Sequence, residues 1–193
     1  MKDNIVYEGE LFQVIHRTKE TTFKVGEREI SKTLQYELVR RPPGVRAIIA
    51  KNRKILLTHE FRYELNDWDY RLPGGKVYDS NDEYSYSCKK GSIDDDIIKK
   101  LKQEMAEEVN IKIQQYKMVN VSQSGLTVEW DLYYFLIEDF VLLTNNSVQK
   151  SEYEFIEQKW VDFSTALELC INGKVSETRS AFEIMRFILN NSM

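Results

Sequence analysis

Three glutamates, Glu104, Glu107 and Glu108, fall within five consecutive residues of a segment whose apolar residues recur at helical spacing. Projected at about 100° per residue with Ile97 at zero, Leu101, Met105, Ile98 and Val109 fill an arc from about 40° to about 120°. On the same projection Glu104 lies at about −20°, Glu108 at about 20° and Glu107 at about −80°. Two carboxylates therefore border the apolar stripe one turn apart, with a third beside them. Like charges at that spacing repel, and a charge at the edge of a buried face is costly unless it is paired or bound to a metal. Hard oxygen ligands converging from one helix face suit Mg²⁺ or Mn²⁺, and Glu104 and Glu108 are spaced to bracket such ions. A solvated acidic face is the alternative reading of the same three residues.

The helix that must carry these groups is expected over residues 93–109. Ser92 supplies a hydroxyl N-cap, Asp94, Asp95 and Asp96 suit the positive end of its dipole, and Asp95 with Lys99 and Asp96 with Lys100 form acid-to-base pairs four apart. Two further helices are expected over 164–171 and 177–189. Strands are expected where β-branched and aromatic residues cluster: within 11–15, 21–25 and 34–39, then at 45–50, 55–58, 111–121, 131–137 and 155–161. Residues 51–54 read as the turn of a strand, turn, strand unit. Pro42-Pro43-Gly44 cannot extend a central ladder, so it marks a junction between an N-terminal sheet subregion, 1–43, and a main domain, 44–193. Strands with a few helices between them imply layers of α and β structure. Residues 77–91 show no steady period and are expected to form a long surface loop, either a lid or a tolerated insertion.

A chain of 193 residues with 42% apolar content can fill one core without disulfides, and Cys88 and Cys170 match no metal-ligand spacing. The start lacks the apolar run of a signal peptide and nothing reaches membrane-spanning length, so a cytoplasmic protein with no membrane partner is expected. A formal charge of −4 offers no field for a polyphosphate backbone, which argues against nucleic acid as the main partner. A small anionic substrate would need local cations or a metal. His16 and His59 have no partners at ligand spacing and read as structural, while Tyr63, Trp68 and Tyr70 fit either a stacking surface or the core.

The string Gln103-Glu104-Met105-Ala106-Glu107-Glu108-Val109-Asn110-Ile111 resembles the second half of the Nudix hydrolase box, G-x5-E-x7-R-E-U-x-E-E-x-G-U, where U is bulky and apolar. Leu72-Pro73-Gly74-Gly75-Lys76-Val77 resembles the approach to its first glycine. Three further pieces resemble the ADP-ribose pyrophosphatase branch in order: Ile55 to Tyr63, Gly125-Leu126-Thr127-Val128-Glu129, and the stretches 154–161 and 173–181. The sequence departs from the pattern as well. Gly75 and Glu104 are 29 positions apart where the box has 15, an insertion of 14; Gln103 stands for the box arginine, Asn110 for its second glycine and Asp95 for its first glutamate. A neutral amide orients glutamates more weakly than a guanidinium, a task that Lys99 or Lys102 could share. Asn110 tolerates the left-handed turn needed at a helix C-terminus. Arg71 stands where the branch often carries a glutamate.

The resemblance implies a Nudix-type α/β/α sandwich with a mixed central sheet, plus a small N-terminal antiparallel sheet that serves dimerisation, and hence a homodimer. It implies that Glu104, Glu107, Glu108 and the carbonyl of Gly74 hold Mg²⁺ or Mn²⁺, with Glu107 completing or bridging the shell. Glu129 is then expected to orient or deprotonate the attacking water, and Arg62 and Arg71 to bind substrate, Arg62 because a guanidinium offers paired donors to phosphate. The implied reaction is hydrolysis of the diphosphate bond in a nucleoside diphosphate linked to another group, ADP-ribose or a related nucleotide sugar, to a mononucleotide and a sugar phosphate. The alternative is a catalytically weak or inactive module that binds a nucleotide sugar, as the missing arginine would permit. A scaffold that binds neither metal nor nucleotide is a third class.

Overall fold

The computed structural model describes residues 1–143 and 156–191, so Phe155, at the start of the last expected strand, lies outside the described residues. The N-terminal residues form strands β1 (Lys2–Glu8), β2 (Gln13–Val25) and β3 (Arg28–Arg40), paired antiparallel in that order. The β2–β3 register runs unbroken from Gln13↔Arg40 to Val25↔Arg28, closed by Gly26 at φ 62. The short runs expected within 11–39 are thus parts of two long strands. Polar residues such as Lys19 and Glu20 do not interrupt them, because much of this ribbon meets solvent and polarity there carries no signal of a break.

After Pro42 and Pro43 the chain enters β4 (Gly44–Lys51), turns through Asn52 and Arg53 at φ 53 and 58, and returns as β5 (Lys54–Arg62). There follow β6 (Asp67–Arg71), α1 (Asn81–Lys90), α2 (Ile93–Val109), β7 (Ile111–Ser122), β8 (Val128–Glu129), β9 (Leu132–Leu142), β10 (Ile156–Asp162), α3 (Phe163–Ile171) and α4 (Thr178–Asn191). The central sheet runs β10-β5-β4-β9-β7, with β6 added on β5. The β4–β9 pair is parallel and its neighbours are antiparallel, so the sheet is mixed.

Alternation along the strands sends side chains to both faces. Ala47, Ile49 and Leu56 pack with Ile97, Leu101, Met105 and Val109 of α2. Ile48, Ile55 and Leu57 pack on the other face with Ala166 and Cys170 of α3 and Ile184 and Ile188 of α4. This is the expected α/β/α sandwich. Leu101 is fully buried, so cutting it to alanine would cost about 2–5 kcal/mol and loosen α2 from the sheet. The N-terminal sheet is separate and acquires one piece of the main domain, since β8 pairs parallel to β3 through Val39↔Val128 and Arg40↔Glu129.

Two local expectations are corrected. Residues 77–91 are mostly helix, not loop: Ser80 accepts from the Glu83 amide, the Glu83 carboxylate accepts from the Asp79 amide, Lys89 and Lys90 close the last turn, and Gly91 caps it at φ 70. The capping signals were present, but a helix this polar lacks the apolar period that reveals most helices. Ser92 makes no side-chain cap. Its hydroxyl instead joins those of Tyr78 and Ser87 in donating to the Asp96 carboxylate at 3.2, 3.0 and 2.7 Å, which ties α1 to α2 and leaves Lys100 for another partner. Asn110 takes the left-handed cap of α2 at φ 56. Among the described residues no helix is long and apolar enough to cross a membrane.

Candidate active site

The segment from Leu72 to Val77 lies along β4, its strand-like contacts being Ala47 N to Pro73 O, Val45 N to Gly75 O and Val77 N to Pro43 O, each at 2.9 Å. Both glycines of the bend are required by contact. Gly74 sits at φ 138 and a Cβ there would meet the Val45 carbonyl oxygen at 2.2 Å; a Cβ on Gly75 would meet Glu104 Oε1 at 2.1 Å. The bend is thereby pressed against the carboxylate face of α2. Pro73 and Gly75 spend their carbonyls on β4, whereas the Gly74 carbonyl takes no hydrogen bond among the described residues.

Glu104 is buried, and its Oε1 accepts from Lys100 Nζ at 2.9 Å, one turn earlier on the same helix. Glu108 accepts from the Gly74 amide at 2.7 Å. Burial first, and then the neighbouring charges of Glu104 and Glu60, push the Glu108 carboxyl up to about 8. Glu107 is exposed, and Gln103 donates to it at 2.9 Å. The helix therefore turns two of its three glutamates to the bend and one to solvent. Among the described residues no three His, Cys, Asp or Glu side chains are grouped closely enough to hold a metal by themselves. The donor set at the bend does fit a hard cation: two carboxylates and an unspent carbonyl, with a buried carboxyl that needs either a proton or a counter-ion.

Beside this face lies a cavity of about 400 Å³ lined by Arg41, Arg46, Arg62 and Arg71 with Trp130, Ser176, Glu177 and Thr178. Strand pairing assembles it. Thr58, Glu60 and Arg62 share one face of β5 and stand opposite Arg71, Asp69 and Asp67 of β6. Buried Asp69 accepts from the Ser176 amide at 2.8 Å and its hydroxyl at 2.7 Å, which brings the start of α4 to the rim. Glu60 bonds the Thr58 hydroxyl at 3.0 Å and approaches Arg62 and Arg71 at 3.6 and 3.8 Å. Arg46 is buried and donates to the Val45 carbonyl at 2.7 Å; burial, then the charge of Arg71, lower its pKa, while Glu108 pulls the other way. Arg41 and Arg179 flank the Trp130 ring at 4.1 and 4.2 Å, and Arg41 Nε and Arg179 Nη2 are buried without hydrogen-bond partners among the described residues. Arg62 also bonds Glu64 at 3.0 Å and Arg71 approaches Asp69 at 3.7 Å, so part of this charge is paired; the guanidinium donors that remain suit an anion with several oxygens.

Glu129 stands elsewhere, in an ion-pair network that joins all four strands of the N-terminal sheet. Arg17 donates to Glu129 and binds Asp3 through two nitrogens at 2.7 Å, and Arg40 bonds Glu129 at 2.8 Å and Asp3 at 3.0 Å. Burial disfavours the charged form of Glu129, but the two arginines outweigh it and hold the group below the usual carboxylate range. Trp68, His59 and Tyr70 form a stack, with ring centroids 4.7 and 4.3 Å apart, on strand positions that alternate with those lining the cavity. Cys88 and Cys170 are free thiols.

The structure brings Gly74, Glu104 and Glu108 together and places Arg62 and Arg71 in one cavity beside them. Sequence reasoning assigned no role to Arg41, Arg46 or Glu60, and paired Lys100 with Asp96 where it bonds Glu104 instead. Arg46 had a readable signal, a lone cation inside the apolar run Val45 to Ile49, since arginine is seldom fully buried without a task. Lys100, rather than Lys99 or Lys102, is the lysine that bonds Glu104. No family model matches the chain, and no curated protein matches it. The chain is similar to a solved structure of an ADP compounds hydrolase, with a TM-score of 0.61 at 15% identity over 100% of this chain and 96% of that one. At that identity the likeness shows the fold, and this α/β fold with a mixed central sheet is consistent with the Nudix-type sandwich that the sequence resemblance implies.

Proposed function

We propose that the chain hydrolyses the diphosphate bond of a nucleoside diphosphate linked to another group, such as ADP-ribose or a related nucleotide sugar, with Mg²⁺ or Mn²⁺ held by Glu104, Glu108 and the Gly74 carbonyl. The observation that carries this reading is Arg46: it lines the arginine cavity, reaches the Gly75 carbonyl of the bend at 3.5 Å and feels the charge of Glu108, so the cavity and the carboxylate pair are neighbours. A bound divalent ion would neutralise diphosphate oxygens and acidify a water. The arginines would hold the diphosphate, Arg62 and Arg71 from the strands and Arg41 from beside Trp130, and stabilise charge as the phosphorus is attacked. Glu107, at the solvent edge, would complete the shell through its exposed carboxylate. Glu129 serves as the base in this reading only after leaving Arg17 and Arg40. The similar ADP compounds hydrolase favours a nucleotide substrate.

A binding module without turnover is the second reading. It is favoured by Gln103 bonding Glu107 instead of orienting the buried pair, and by Lys100 already occupying Glu104. Incubation with Mg²⁺ and a panel of ADP-ribose, other nucleoside diphosphate sugars and dinucleotides separates the two. Mononucleotide release supports the hydrolase, and binding without release supports the module. The same proposal includes a homodimer through the N-terminal sheet, where Ile5, Tyr7, Phe23, Val25 and Leu34 are exposed. Light scattering should give twice the chain mass of 22.9 kDa, and a single-chain mass would refute the dimer.

A further inference from the structure

Arg62 and Arg71 reach the arginine cavity with carboxylates beside them, and Arg46 with the Val45 carbonyl. Arg41 reaches it with neither: among the described residues no side chain or carbonyl accepts from its guanidinium, and its Nε is buried. The residue is half-buried, and burial first, then the charges of Arg46 and Arg179, lower its pKa. What faces the guanidinium is aromatic, the Trp130 ring at 4.1 Å and the Phe12 ring at 5.2 Å. Strand pairing sets up this contact. Arg40 stands opposite Glu129 in the β3–β8 pairing and the Arg41 amide donates to the Glu129 carbonyl at 3.0 Å, so Arg41 and Trp130 leave the sheet side by side. Trp130 is tied down in turn. Arg179 of α4 lies over its ring at 4.2 Å, donates to its carbonyl at 2.8 Å, and is itself held by Glu177 at 2.9 Å.

A ring attracts a guanidinium through its π face and takes no hydrogen bond from the N–H groups that lie in the guanidinium plane. Trp130 therefore keeps Arg41 at the cavity wall and leaves its donors unspent, where a carboxylate would have consumed them. We propose that Trp130 is a positioning residue of this anion site: anchored by Arg179, it holds the Arg41 guanidinium for a phosphate of the substrate. The inference rests on the reading of the arginine cavity as the diphosphate site. It makes the indole act through Arg41 and not by touching the substrate.

The test measures binding of the non-hydrolysable α,β-methylene analogue of ADP, in Mg²⁺, by calorimetry on the full chain. Arg41→Met and Trp130→Leu should each weaken it about tenfold, and Trp130→Phe, which keeps a π face, should stay within about threefold of the wild type. The double variant Arg41→Met with Trp130→Leu should bind within about twofold of Arg41→Met alone, because a residue that acts through Arg41 has no effect once Arg41 is gone. Wild-type affinity in Trp130→Leu, or a further loss of about tenfold on adding it to Arg41→Met, overturns the proposal. If Trp130→Leu fails to fold, Trp68→Phe with Trp160→Phe leaves Trp130 as the only tryptophan. Saturating that protein with the analogue should shift its emission, and Arg41→Met should remove the shift; saturation without a shift overturns the proposal and leaves the diphosphate site standing. A wild type that binds no analogue overturns both.

Discussion

Two groups of carboxylates in this protein meet opposite fates. Asp3 and Glu129 are surrounded by Arg17 and Arg40, and the hydrogen bond from Arg17 is the chief cause that lowers Asp3 to about 2. Glu108 is deeper, has one amide donor and two acidic neighbours, and is pushed up to about 8. The first group is complete as it stands and fastens β1, β2, β3 and β8 into one sheet. The second is short of donors, a deficit that the proposed cation would make good. On the proposed reading, the comparison separates acids that hold a fold from acids that bind a cation.

The largest effect should come from the deficient group. Glu108→Gln should reduce mononucleotide release by about 100-fold or more, as loss of a key charge in a preorganised site does, and should leave thermal stability equal or higher in cation-free buffer. A variant with full turnover would place Glu108 on the structural side of the comparison. Gly75→Ala should follow, because its methyl group would displace Glu104 Oε1; turnover should fall by about tenfold or more, with a lower Tm. Arg62→Met and Arg71→Met should act through substrate affinity, each raising KM about tenfold with a smaller change in kcat, as removal of a charge-assisted bond predicts.

Effects in the complete group should be smaller and should appear in stability. Asp3 has a folded pKa of about 2, below the roughly 3.9 of an unfolded aspartate. Its contribution is therefore fully present above the unfolded value and is lost as pH falls through about 2. Denaturation midpoints from pH 6 downwards should fall less steeply in Asp3→Asn than in the wild type, and parallel curves would dissolve the proposed network. Glu107→Gln should lower turnover less than Glu108→Gln does, since its carboxylate meets solvent and is bonded by Gln103.

What was legible in the sequence follows the range of the forces involved. Helix α2 has its expected bounds because its apolar period and its left-handed Asn110 cap are local signals. The same period separated Glu104 and Glu108 from Glu107 by angle, and the buried Glu104, half-buried Glu108 and exposed Glu107 follow that angle. The arginine cavity was not legible as a unit. Arg41 and Arg46 are five residues apart but converge with Arg62 and Arg71 only through the β5–β6 pairing and the Asp69 contact with Ser176. The placement of Glu129 depends on β8 joining β3, a two-residue parallel pairing with no period to read. Helix α1 was missed because its capping residues, and not a hydrophobic stripe, define it.

Titration of the metal-free protein with Mn²⁺, followed by calorimetry in the wild type and in Glu108→Gln, tests the central claim most directly. The account predicts saturable binding in the wild type that is lost in the variant together with nucleotide hydrolysis. Wild-type protein that takes up no Mn²⁺, or a variant that binds it equally well, would contradict it.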